Sequence, residues 1–166
     1  MSVKNILTVS ILLFLPFINY AQDLTFSKLM TYYVSNDEEL ILNDLRQKKY
    51  LIHKEQPTEV QLFDSQINCF KPSEKDYKNM NGMVIFKKSH QMAAISYFTF
   101  NTTDFQNKLK EIYKRGFKQT IENPTSHWVF NSKDTLVTVE KRDITLNNKI
   151  FKRYEISIMK SIMKYQ

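Results

Sequence analysis

Residues 35–66 and 102–133 align with each other, without a gap, at a constant offset of 67. Asp37, Leu42, Glu55, Pro57, Thr58, Phe63 and Ser65 meet identical residues at Asp104, Leu109, Glu122, Pro124, Thr125, Phe130 and Ser132. Tyr50 meets Phe117, and Leu45 meets Ile112. Each copy reads as a polar start, a short helix, a basic step, an aromatic, a strand, a Pro-Thr turn and a second strand. A helix with one apolar stripe and strands with one apolar face must bury them against each other. The expected fold class is therefore α+β: two tandem pseudo-repeats of helix plus antiparallel strands, with the helices packed on one face of the sheet. The repeats run approximately over 25–88 and 92–159, joined after the loop 71–82, in a single domain spanning 22–166.

Local patterning fills in the elements. Thr25–Val34 spaces Phe26, Leu29, Met30 and Tyr33 as one helical face. Ser35 or Asn36 can cap the next helix, which buries Ile41, Leu42 and Leu45. Strands are expected at 50–54, 59–64, 67–70, 83–88 and 92–100. In the second copy Thr102 or Thr103 can cap a helix that buries Phe105, Leu109, Ile112 and Tyr113, and Gly116 suits a left-handed helix end. Further strands are expected at 117–122, 127–131, 135–141 and 149–159. The last of these places Ile150, Tyr154, Ile156 and Ile158 on one face. Lys71–Gly82, with Pro, Gly and mixed charge, reads as a loop, and 160–166 as a tail.

The chain opens with one basic residue, Lys4, then an apolar run Ile6–Ile18, then small Ala21 before Gln22. That order is expected of a secretory signal peptide over 1–21, cleaved near Ala21-Gln22, giving a periplasmic or secreted protein. The run is shorter than the roughly 20 apolar residues a bilayer demands, so no transmembrane segment is expected in the mature chain. Losing residues 1–21 removes one charge, Lys4, and takes the formal net charge from +7 to +6. Nearly all the excess is Lys, with Arg only at 46, 115, 142 and 153. Bidentate base and phosphate readers favour Arg, so no nucleic-acid partner is expected; weak attraction to anionic surfaces is. The single cysteine, Cys69, excludes an internal disulfide, and stability must come from packing of the Phe, Tyr and Leu content.

No motif carries chemistry. His53, His90 and His127 lack metal-ligand spacing, and no cofactor is expected. Cys69 sits in Ile67-Asn68-Cys69-Phe70, a strand-like setting unlike a nucleophile motif, and reads as a small buried hydrophobe. Two glycines, Gly82 and Gly116, cannot build a phosphate loop. The repeated acids Asp37, Glu55, Asp104 and Glu122 read as helix starts and turn neighbours rather than paired catalytic carboxylates. Trp128, Tyr50, Phe117 and Phe130 could stack on a sugar but fit the core better. The expected function is an exported, non-enzymatic binding or interaction protein, engaging an unknown protein or envelope component through a sheet face or the 71–82 loop. The alternative is a small envelope hydrolase using Cys69 or a histidine.

The Ala21-Gln22 junction, the Asn- and Lys-rich composition, and the segments Tyr97-Phe98-Thr99-Phe100-Asn101, Asp104-Phe105, Arg115-Gly116-Phe117 and Tyr154-Glu155-Ile156 resemble small uncharacterised exported proteins of Bacteroidota-type bacteria. That resemblance implies export and no particular activity. Asp134-Thr135-Leu136 is similar to the O-glycosylation acceptor of such bacteria. In organisation, the chain also resembles the beta-lactamase inhibitory protein family, an exported tandem repeat of helices on antiparallel strands, without that family's disulfides.

Overall fold

The computed structural model describes residues 24–55, 65–70, 82–89, 93–123, 127–146 and 148–160. The signal segment, the strand expected at 59–64, most of the 71–82 loop, His90 and the tail after Lys160 lie outside the described residues. The described chain is mixed helix and sheet: α1 (Phe26–Ser35), α2 (Glu38–Gln47), β1 (Leu51–Glu55), β2 (Ser65–Phe70), β3 (Met83–Lys88), β4 (Ala93–Thr99), α3 (Thr102–Lys114), β5 (Lys118–Asn123), β6 (His127–Ser132), β7 (Thr135–Leu146) and β8 (Lys149–Lys160). All strands form one antiparallel sheet in the order β1-β2-β3-β4-β8-β7-β6-β5. Two four-stranded meanders thus meet at one seam, where β4 pairs with β8 from Ala94↔Met159 to Thr99↔Tyr154.

The helices start where side chains satisfy their first amides. Thr25 Oγ1 accepts from the Lys28 amide at 3.1 Å, and Asp37 Oδ1 accepts from the Leu40 amide at 3.1 Å. Asp37, not Ser35 or Asn36, therefore caps α2; Asn36 instead ends α1 with a left-handed φ of 48°. Asn101, rather than Thr102 or Thr103, caps α3, accepting from the Thr103 and Asp104 amides at 2.9 and 3.1 Å. The buried stripes also differ in detail from the expected ones. α1 buries Phe26, Leu29 and Tyr32, with Met30 and Tyr33 half-buried. α3 buries Asp104, Phe105, Lys108 and Ile112, while Tyr113 is exposed.

One core cluster joins the three helices to strands β2, β3, β4, β6, β7 and β8. It contains Phe26, Leu29 and Tyr32 of α1, Leu45 of α2 and Ile112 of α3. From the strands it takes Ile67, Cys69, Val84, Phe86, Ile95, Tyr97, Phe130, Val137, Val139, Tyr154, Ile156 and Ile158. Strands β2, β3, β4, β7 and β8 each contribute alternate residues, and the register aligns them across the sheet: Cys69↔Val84↔Tyr97↔Ile156↔Val139 form one row. α1 contacts β4, β8 and α3, so it lies over the seam. Its Ser27 amide donates to Glu111 at 3.0 Å, and Arg115 donates to Ser27 Oγ at 2.7 Å. Phe26 meets Phe117 edge to face at 5.9 Å, and the Phe105 and Tyr154 rings stack at 4.3 Å beside the seam.

A polar cluster is set into this apolar layer. Lys108, 2% exposed, pairs with Asp104 one helical turn earlier. Tyr97 donates its hydroxyl to Asp104 Oδ2 at 2.6 Å, and the Lys108 ammonium lies 4.2 Å from the Tyr97 ring centre. Burial pulls the Lys108 pKa below the usual lysine value, and the Asp104 charge opposes that shift. Gly82 is required beside this cluster. Its φ is +83°, and a Cβ there would lie 2.9 Å from the Tyr50 hydroxyl and 3.4 Å from that of Tyr97.

Breaking one partner of a buried ion pair strands the other charge, so Lys108→Met should destabilise the fold by about 3 kcal/mol. Asp104→Leu combined with Lys108→Met should cost less than the two changes summed, read by urea unfolding. The tyrosines give a second prediction. Burial first, and then the neighbouring carboxylate, push Tyr32 and Tyr97 well above the ordinary phenol value of 10.0; burial does the same for Tyr50. Groups raised in the folded chain keep their stabilisation below the unfolded value and lose it as pH rises beyond it. Lys108, lowered in the folded chain, adds stability as pH rises toward the ordinary lysine value of 10.5 and nothing further above that. Above that pH, three silent phenols should reduce stability by about 4 kcal/mol per pH unit. In absorbance titration they should ionise only with unfolding; titration of all nine tyrosines in the folded chain would contradict this.

Candidate interaction surface

The strand residues that alternate with the core row make a second face. Across it runs a central row His53↔Asn68↔Ile85↔Ser96↔Ser157↔Thr138↔Val129. On one side lies the row Met83↔Phe98↔Glu155↔Glu140↔His127, and on the other Gln66↔Lys87↔Ala94↔Met159↔Leu136↔Asn131. Most of these side chains are half-buried, with Ala94, Ser157 and Val129 buried. The face mixes Met, Ile, Phe and Leu with hydroxyls, amides and charges.

Its polar groups are organised. At the centre, the Ser96 and Ser157 hydroxyls hydrogen-bond across the seam at 2.7 Å, and Ser157 Oγ donates to Glu155 Oε1 at 3.2 Å. Near the β1 edge, Glu55 accepts from Asn68 and, at 2.8 Å, from Gln66. Toward β6, Glu140 faces Glu155, receives Arg142 Nε at 2.6 Å, and lies 3.5 Å from His127 Nδ1. Arg153 lies over the Phe98 ring at 5.2 Å. These ties limit side-chain rotation before any partner arrives, which reduces the entropy lost on binding.

The residues weighed for catalysis are not brought together. Cys69 is fully buried in the core row, and burial pushes its thiol up to about 11, away from the reactive thiolate. His53 pairs with Asn68 on the opposite face, and His127 belongs to β6, with five strands between it and β1 in the sheet order. Asp37 is a helix cap, Asp104 belongs to the buried cluster, and Glu55 is held by the β2 amides. The backbone of Glu122 pairs opposite Trp128. Tyr50, Phe117 and Phe130 are core residues; half-buried Trp128 packs at 6.4 Å against Phe105. Thr135 starts β7. Among the described residues no group of three His, Cys, Asp or Glu side chains is placed to hold a metal ion, and no helix is long and apolar enough to cross a membrane.

Two depressions open on the helices. One, of about 350 Å³, is lined by Ser27, Met30, Thr31, Val34, Ser35 and Arg115. The other, of about 570 Å³, is lined chiefly by the acidic start of α2 and Lys28. Neither reaches the Asp104 cluster or Cys69. Alternation made the second face legible in the sequence; the Asp104–Lys108–Tyr97 cluster was missed, and its one available signal was a Lys four residues after an Asp on an otherwise apolar stripe.

In comparisons with known protein families, curated proteins and solved structures, nothing matches this chain.

The Cys69 environment sets a test. In the native chain the thiol should react with a bulky disulfide reagent at least about 100-fold more slowly than in urea, because reaction awaits opening of the core. Prompt native reaction would contradict the burial described.

Proposed function

We propose that this protein is an exported, non-enzymatic binding protein whose helices cover one face of the sheet and leave the other as the contact surface. The observation that carries the reading is the second face itself: eight strands wide, part apolar, with its polar groups already tied in place. Every strand residue of the core cluster belongs to the helix-side alternation, which supports an opposite face left free by the described helices. The buried, unactivated Cys69 and the separation of His53 from it favour binding over the hydrolase alternative. Export follows from the apolar run before Gln22, and the partner is then a protein or envelope component.

We read the architecture as a tandem duplication. At the offset of 67, α2 and α3 end alike: Lys49 and Gly116 both take positive φ, 63° and 80°. Leu45 and Ile112 are both fully buried, as are the aromatics Tyr50 and Phe117 that follow, at 5% and 7% exposure. β1 and β5 then start one position later in each copy. At the same offset β6 corresponds to 60–65, of which all but Ser65 lie outside the described residues.

The test uses substitutions on the contact face. Ile85→Lys and Thr138→Lys should abolish retention of a partner from an envelope extract while changing stability by less than about 1 kcal/mol. Val34→Lys, on the helix side, should leave retention intact. Equal retention by all variants would refute the sheet face as the binding surface.

A further inference from the structure

The β7–β8 hairpin outruns the sheet. β6 stops pairing with β7 at Glu140, and β4 stops pairing with β8 at Tyr154, yet β7 and β8 pair on from Lys141↔Tyr154 to Leu146↔Lys149. The five rungs from Arg142↔Arg153 onward, flanked by neither neighbour, give an arm about 17 Å long at the usual strand rise. The expected strand at 135–141 therefore ended too early. Ile150, expected on one face with Tyr154, is 73% exposed, and among the described residues no third strand or helix reaches that far.

The arm is strongly and unequally charged. Residues 141–153 hold Lys141, Arg142, Lys149, Lys152 and Arg153 against Asp143 alone, a net +4 within a chain of +7. Arg142 and Arg153 sit directly opposite each other, a like-charge pair that disfavours the hairpin unless an anion is near. Arg142 is held by Glu140 at the base, and Arg153 keeps its Nε buried with no hydrogen-bond partner among the described residues. Between the cations lie apolar side chains. Ile144 faces Phe151, Phe151 meets Phe100 edge to face at 6.4 Å, and exposed Ile150 stands at the tip opposite Thr145.

We propose that the arm is a membrane-surface anchor that docks on anionic phospholipid, with the Lys and Arg side chains at the headgroups and Ile150 in the interface. Cations alone would suit any polyanion; the exposed apolar tip among them selects a bilayer, where an aliphatic side chain gains by leaving water. This reading does not rest on the sheet-face function. It would tether the molecule while that face stays available.

The test is co-sedimentation of the purified chain with vesicles of phosphatidylcholine alone or mixed with phosphatidylglycerol. Binding should require the anionic lipid and weaken with salt. Each removed cation should cost about five-fold, so Lys141→Gln, Lys149→Gln and Lys152→Gln together should cost about 100-fold. Ile150→Ser, at an exposed position that leaves the fold intact, should cost about ten-fold on vesicles. Equal binding to neutral vesicles, or no effect of the arm substitutions, would overturn the proposal. So would binding to a soluble polyanion as tight as to vesicles and indifferent to Ile150→Ser, which would assign the arm to polyanions. Concentration-dependent self-association abolished by the same Lys→Gln changes would assign it to a second copy of the chain.

Discussion

The β4–β8 pairing is the constraint on which the rest of the structure depends. Each meander alone would present an open edge strand at this position, a row of unpaired amides and carbonyls. Joining them closes both edges at once and makes a sheet wide enough to bury a common core. α1 lies across that seam, ties to α3 through Ser27 and to α2 through Lys28 and Tyr32 at Asp44, and so belongs to both halves. The Asp104–Lys108–Tyr97 cluster sits beside it, where its polar geometry can fix the register of β4 against α3 in a way apolar contacts do not.

The two surfaces of interest follow from the same seam. The second face gains its width from the join, with the Ser96–Ser157 hydrogen bond at its centre. The arm exists because β7 and β8 are longer than the neighbours that flank them. A broad face and a charged ribbon are chemically different: one presents half-buried side chains held by neighbours, the other exposed cations around an apolar tip. The two meet only at the base of the arm, where Arg142 pairs with Glu140 and Arg153 lies over Phe98.

Most of the secondary structure was legible in the sequence because it rests on local signals. Alternation at Met83–Lys88 and Lys149–Met159, and the 3.6-residue spacing after Asn101, are satisfied largely within each segment. What escaped depends on distant partners. The β7 extension was hidden because Lys141-Arg142-Asp143 breaks the apolar alternation; it pairs only because β8 continues opposite. The α3 stripe was misplaced by one position since Lys108 is drawn inward by Asp104 and Tyr97, an outcome no hydrophobic pattern can encode. Cys69 and His53 fall on opposite faces of the sheet, a separation that only the strand register reveals.

Amide hydrogen exchange read residue by residue tests the seam most directly. If β4–β8 is the structural keystone, the paired amides of Tyr97 and Ile156, and those of Ile95 and Ile158, should exchange slowest, by global unfolding. The core amides of β2–β3 and β6–β7 should share that opening energy within about 1 kcal/mol. Rapid exchange along β4 and β8 while the two meanders stayed separately protected would show that the halves fold independently, and would contradict the account.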